Sequence, residues 1–130
     1  MRFVVDCETL LRIAAGEVEV APEHTLVAPA LVRSQALDAL YRAARRGEIT
    51  RREGLDRVVR LNSLKVRFLG DKSMQQQAWK AAEELGWDGT YAAEFVALTR
   101  LQADAFVTSD SELAAAVAGL VRTAAPDALR

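Results

Sequence analysis

A chain of 130 residues is long enough for one domain with a sizeable buried core and too short for two ordinary ones. With 51% apolar and 27% charged residues it is not a disordered chain, and no apolar run approaches the roughly eighteen residues a membrane span needs. The formal net charge of −1 hides an asymmetry: Arg42 to Arg67 holds nine basic residues against three acidic ones, a local +6 that leaves −7 for the rest.

Met1-Arg2-Phe3-Val4-Val5-Asp6 reaches an acidic residue too soon for a secretory signal. Phe3-Val4-Val5 reads as a short buried strand ending at Asp6. Glu8 to Ala15 is helix material stopped by Gly16, and residues 17 to 24 form a loop with Pro22. Thr25-Leu26-Val27-Ala28 is a second buried strand, stopped by Pro29. A helix follows from about Ala30 to Arg46, in which Leu37, Leu40, Tyr41 and Ala44 make an i, i+3, i+4, i+7 apolar stripe.

Thr50 with Glu53 three residues on is a capping box, opening a helix to about Asn62. Lys65-Val66-Arg67-Phe68-Leu69 alternates and reads as a short strand or an extended segment. Asp71 or Ser73 caps a helix through Leu85, with Met74, Ala78, Ala81, Ala82 and Leu85 on its apolar side. Thr90 caps a helix from Tyr91 to about Leu101. Ala105-Phe106-Val107-Thr108 is a third buried strand ending at Ser109-Asp110. Ser111 to Ala118 is a last helix, and Leu120-Val121-Arg122 is a candidate final strand.

Strands that alternate with helices imply a parallel sheet covered on both faces. Ligands of such sheets bind beyond the carboxyl ends of the strands. Two of the three clearest strands end on an aspartate there, Asp6 and Asp110. Two carboxylates on one sheet edge suit Mg²⁺ or Mn²⁺, which take oxygen ligands and keep waters. Each aspartate also suits the N-cap of the helix that follows it, and spacing alone leaves both readings open.

Other residues read more plainly. One His and one Cys make no zinc cluster. His24 is a loop histidine. Cys7 is a small buried apolar residue, has no possible internal disulfide partner, and fits a reducing cytosol. Trp79 and Trp87 read as packing anchors in preference to base-stacking platforms. Gly86-Trp87-Asp88-Gly89 lacks the Lys-Ser/Thr of a phosphate-binding loop.

Several segments then fall in a telling order: Val4-Val5-Asp6 with Leu10-Leu11, Ala28-Pro29-Ala30-Leu31-Val32-Arg33-Ser34, Gly70-Asp71, Ala78-Trp79 to Gly86-Trp87, Thr90-Tyr91 to Val96-Ala97-Leu98, and Phe106-Val107-Thr108-Ser109-Asp110. Over nearly the whole chain this order resembles the PIN domain, and is most similar to the VapC-like toxins of bacterial toxin–antitoxin pairs. The resemblance implies a single domain over residues 1–130, a three-layer α/β/α sandwich with a short, mostly parallel twisted sheet. It implies a cytoplasmic, Mg²⁺- or Mn²⁺-dependent endoribonuclease that forms a homodimer and is silenced by a small antitoxin protein.

Carried over by position, the resemblance puts Asp6 and Asp110 at two of the family's four acidic site positions. The other two hold Gln35 and Ala92. Gln35 keeps one carbonyl oxygen that can ligate weakly or hold a water, but it cannot act as a general base. Ala92 can do neither, so weak metal binding is expected. Asp38, three residues after Gln35 and hence on the same helix face, is a candidate substitute carboxylate. Asp88, in the loop before the helix that carries Ala92, is another. Glu94 is rotated about 200° from Ala92, at roughly 100° per residue, and should point elsewhere.

Two functions compete on this reading. In the first, Asp6 and Asp110 hold the metal, Asp38 or Gln35 orients the attacking water, Thr108 or Ser109 hydrogen-bonds a ligand or phosphate, and Arg42, Arg45, Arg46, Arg51 and Arg52 grip the RNA backbone. In the second, the degenerate site leaves a module that binds RNA or an antitoxin without cutting. A phosphate-receiver or nucleotide-binding domain fits poorly, because the helix-rich middle interrupts simple strand–helix alternation.

Overall fold

The computed structural model describes Met1–Arg130. The elements run β1 (Arg2–Val5), α1 (Cys7–Ala14), β2 (Thr25–Pro29), α2 (Leu31–Arg45), α3 (Arg51–Ser63), β3 (Val66–Leu69), α4 (Lys72–Leu85), α5 (Tyr91–Gln102), β4 (Ala105–Val107), α6 (Ser111–Val117) and β5 (Thr123–Ala124), closed by a 3₁₀ turn over Pro126–Leu129. All five strands are parallel, in the order β3-β2-β1-β4-β5. Every connection is therefore a crossover, and the right-handed rule places α1 to α3 on one face and α4 and α5 on the other. The packing agrees: α1, α2 and α3 touch one another, α4 packs along α5, and α5 lies across β1, β2 and β4.

The sheet's inner strands read as continuous apolar runs because both their faces are covered. Val4, Val5, Val27, Phe106 and Val107 are all fully buried. The second layer of the core comes from α5, where Ala93 and every residue from Phe95 to Thr99 is buried. Phe95 of this helix stacks on Phe106 of β4 at 5.3 Å between ring centroids.

Helix starts follow the polar signals in most places. Asp6, Asp71 and Asp110 each accept a hydrogen bond from the backbone N–H three residues on. Thr50 and Glu53 form the reciprocal capping box. Gly86 ends α4 with φ of 68°, a conformation that strains any residue carrying a Cβ.

Four expectations are corrected. Thr90 makes no capping bond and has near-helical angles, so α5 opens without a side-chain cap. The last strand is Thr123–Ala124, not Leu120–Arg122, because the Leu120 and Val121 N–H groups turn back onto the Val117 carbonyl and prolong the helix end. Trp79 is no packing anchor: it is one of the most exposed apolar side chains, whereas Trp87 does pack on the core. In α2 the core face is Val32, Ala36 and Leu40, which leaves Leu37 and Tyr41 of the expected stripe in solvent.

Candidate functional site

The chain leaves β1 toward β2 and β3, then returns through α4 and α5 to β4 on the other side of β1. The strand order thus reverses between β1 and β4, and in an open parallel sheet the crevice outside such a reversal is where ligands bind. Val5 pairs in register with Val107, so the residues that follow each strand emerge side by side at this crevice. They are Asp6 on one side and Thr108-Ser109-Asp110 on the other.

The Thr108 hydroxyl ties the two together. It donates to Asp6 Oδ2 at 2.8 Å and accepts from the Asp110 backbone N–H at 3.1 Å. Thr108 itself is buried, Asp6 is half-buried, and Ser109 and Asp110 are exposed. Asp6 Oδ1 accepts from the Thr9 N–H at 2.9 Å, and Asp110 Oδ1 accepts from the Leu113 N–H at 3.0 Å. Both carboxylates therefore cap helices, and each still presents lone pairs to the crevice. Asp110 Oδ2 makes no bond within the chain.

The topology carries Gln35 and Ala92 to the same edge. Gln35 lies about one turn into α2, which starts directly after β2. Ala92 is the second residue of α5, whose far end feeds β4 from the opposite edge. Gln35 is exposed and makes no side-chain hydrogen bond, and Ala92 is half-buried. Asp88 and Ala92 line an open groove with Trp87 and Tyr91. No third Asp, Glu, His or Cys converges with Asp6 and Asp110, so Asp38 and Asp88 stand apart from the pair. Asp38 is instead held at 2.7 Å by Arg42, one turn along α2.

A pair of carboxylates with free lone pairs fits Mg²⁺ or Mn²⁺, since such ions keep several waters and are commonly held by one or two carboxylates plus substrate phosphates. The donor set is hard oxygen throughout. Cys7 adds nothing to it: burial, reinforced by the Asp6 and Glu8 carboxylates, pushes its thiol up to about 11. Glu94 is half-buried, and desolvation raises its carboxyl above the ordinary range. Rotation on the helix gives no sign of this desolvation. The clue was the apolar residues on every side of it in α5.

Of the basic residues, Arg42 pairs with Asp38 and Arg46 with Glu48. Arg45, Arg51 and Arg52 make no ion pair. Arg33 lies 5.4 Å over the Phe68 ring and bonds Asn62. His24 is a loop residue, as expected, set edge-on to Phe3.

A five-stranded parallel sheet between two helical layers, with aspartates at the β1/β4 crevice, defines a PIN-like α/β/α fold. Solved structures share it. The chain is similar to PAE2754 from Pyrobaculum aerophilum, with a TM-score of 0.74 at 21% identity over 99% of this chain and 92% of that one. It is also similar to a chain of VapBC-1 from nontypeable Haemophilus influenzae, with a TM-score of 0.61 at 10% identity over 97% and 98%. No protein-family model and no curated protein sequence matches. At these identities the likeness is one of fold. No helix is long and apolar enough to cross a membrane.

Proposed function

We propose that this chain is a metal-dependent endoribonuclease of the PIN type with a weakened site. The observation that carries the reading is the Thr108 hydroxyl, which links Asp6 to the Asp110 backbone at the crevice between β1 and β4. Asp6 and Asp110 would hold one Mg²⁺ or Mn²⁺ together with waters. When bound, the cation supplies an activated water and neutralises charge at the scissile phosphate. Thr108 orients Asp6 by donating to its Oδ2. Ser109 offers an exposed hydroxyl to a phosphate oxygen. Gln35 orients the attacking water through its amide but takes no proton from it. Arg42, Arg46 and Arg52 hold the RNA backbone, and the surface ion pairs of the first two yield at little cost.

RNA cleavage with Mn²⁺ added, comparing the wild-type chain with Asp6→Asn, tests this. Asn caps a helix as well as Asp does, so the Thr9 bond survives while the ligand charge and the acceptor for the Thr108 hydroxyl are lost. Cleavage that depends on Mn²⁺ and falls at least tenfold in the variant is expected; equal cleavage by both overturns the reading.

A second reading is favoured by one observation, the lack of any third acidic side chain beside the pair. In it the chain binds RNA or an antitoxin-like protein without cutting. VapBC-1, a structural neighbour, lends that partner class its plausibility. Titration calorimetry separates the two: no Mn²⁺ heat at millimolar metal, with RNA binding that survives EDTA, favours the binder.

A further inference from the structure

Trp79 stands on the side of α4 that its packing leaves unused. The helix buries Met74, Ala78, Ala81 and Ala82. Trp79 lies outside that set and is 66% exposed, whereas Trp87 packs against the core. An indole is a large apolar group that the fold ordinarily claims, and here the fold makes no use of it.

The indole lines an open groove of about 480 Å³ together with Lys72, Gln75, Gln76, Lys80 and Glu83. All six residues are exposed. Gln75, Gln76 and Glu83 lie three or four residues from Trp79 and Lys72 lies seven, so they share one face of the helix. At 1.5 Å per residue the stripe is roughly 16 Å long. Neither Lys72 nor Lys80 has an ionic partner. Glu83, the one acid, closes the far end.

Chemistry selects the occupant. An apolar protein surface would find a single apolar side chain here, Trp79 itself. A planar ligand suits a lone indole, because stacking needs no apolar neighbours and every nucleic-acid base has such a face. The two free ammonium groups suit the phosphates on either side of that base. The amides of Gln75 and Gln76 both donate and accept, as a base edge requires. A duplex keeps its bases stacked on one another, so the occupant is single-stranded.

Position joins this face to the crevice. All strands are parallel, so β3 ends on the same edge as β1 and β4, and α4 opens at Lys72 just beyond it. In the sheet order β3 is the second strand from β1, roughly 10 Å away at about 4.8 Å per strand. Trp79 is roughly 10 Å further along the helix from Lys72. A strand crossing the crevice meets the arginines of α2 and α3 on one side of the sheet and α4 on the other.

We propose that the outer face of α4 is a second contact for single-stranded RNA, in which one unpaired base stacks on Trp79 while Lys72 and Lys80 take backbone phosphates. The proposal rests on the reading that the chain handles RNA, which the nuclease and the binder share, and it uses none of the crevice residues.

Fluorescence of the full chain, in EDTA so that no RNA is cut, tests it. The probes are a short adenine-only RNA strand and an RNA duplex of the same length. The emission of Trp79 is the difference between the wild type and Trp79→Phe. The single strand should quench it and the duplex should not. By anisotropy of the dye-labelled strand, Trp79→Ala should weaken binding at least fivefold with an unchanged urea midpoint. Trp79→Phe, which keeps an aromatic face, should retain most of the affinity. Lys72→Ala and Lys80→Ala should each weaken binding and lower the slope of log affinity against log salt by about one.

Full affinity in Trp79→Ala, or no quench of Trp79 while the strand binds, overturns the proposal and leaves the crevice reading intact. No strand binding in EDTA overturns it too, and Mn²⁺-dependent cleavage lost in Asp6→Asn would still uphold the crevice. A dimer in sedimentation that Trp79→Ala splits assigns the indole to a protein contact and likewise overturns the proposal.

Discussion

Replacing Thr108 by Val keeps the shape of the side chain and removes one hydroxyl. Two bonds go with it: the donor to Asp6 Oδ2 and the acceptor for the Asp110 N–H. A hydrogen bond to a charged group contributes about 1.5–3 kcal/mol, and a buried group left unsatisfied costs about 1–3 kcal/mol. Asp6 is only half-buried and the Asp110 side is open, so water recovers part of both. The added methyl, in a site 5% exposed, recovers a little more. The net expectation is a loss of about 1–2 kcal/mol, read as a lower urea midpoint at unchanged slope. Thr108→Ser retains the hydroxyl and should lose less than half as much. A Val variant within about 0.3 kcal/mol of wild type, or a Ser variant equal to Val, would refute the claim that this hydroxyl holds the crevice together.

Phe106→Ala empties the fully buried centre of β4 and its stack on Phe95, and should cost about 3–5 kcal/mol in urea unfolding. Gly86→Ala places a Cβ at φ of 68° and should lower stability by about 1 kcal/mol by the same measurement. Glu94→Gln should stabilise the fold at neutral pH. The folded carboxyl is raised, so the wild type is penalised as pH rises through that value, and the difference should vanish below pH ~4, where both states are protonated. The Cys7 thiol should alkylate slowly at pH 8 and faster as pH approaches 11. Because its folded value is also raised, it favours folding below about pH 9 and progressively less above, an alkaline decline that Cys7→Ala should reduce.

The strands were legible because burial on both faces leaves a continuous apolar run, as in Val4-Val5 and Ala105-Phe106-Val107. The helix starts at Asp6, Thr50 and Asp110 were legible because a short polar side chain there has a definite hydrogen-bonding task. Parallel alternation then placed Asp6 and Asp110 on one edge, and the β1/β4 register brought their strands together. Periodicity failed on α2. It says which residues share a face, but not whether the chain has anything to set against that face, and Leu37 and Tyr41 have nothing. The final strand was missed because pairing of two residues, Thr123 and Ala124, is decided by the neighbouring Phe106 and Val107 backbone and not by local pattern. Thr90 misled for a related reason: a threonine before a helix can cap only if its backbone is extended, and here it is not.

The double duty of Asp6 and Asp110 has a consequence for how such a site wears away. Each is fastened to a helix start, so either aspartate has a task in the architecture whether or not any phosphate is ever cut. Positions 35 and 92 have no such anchorage: Gln35 bonds nothing through its side chain, and Ala92 has no polar group to bond with. Substitution at those two places would leave the helix starts intact, whereas loss of either aspartate would remove a cap. Two carboxylates that double as helix caps are therefore as much the mark of a scaffold as of a working enzyme, and the Asp6→Asn comparison tells them apart because it removes the charge and spares the cap.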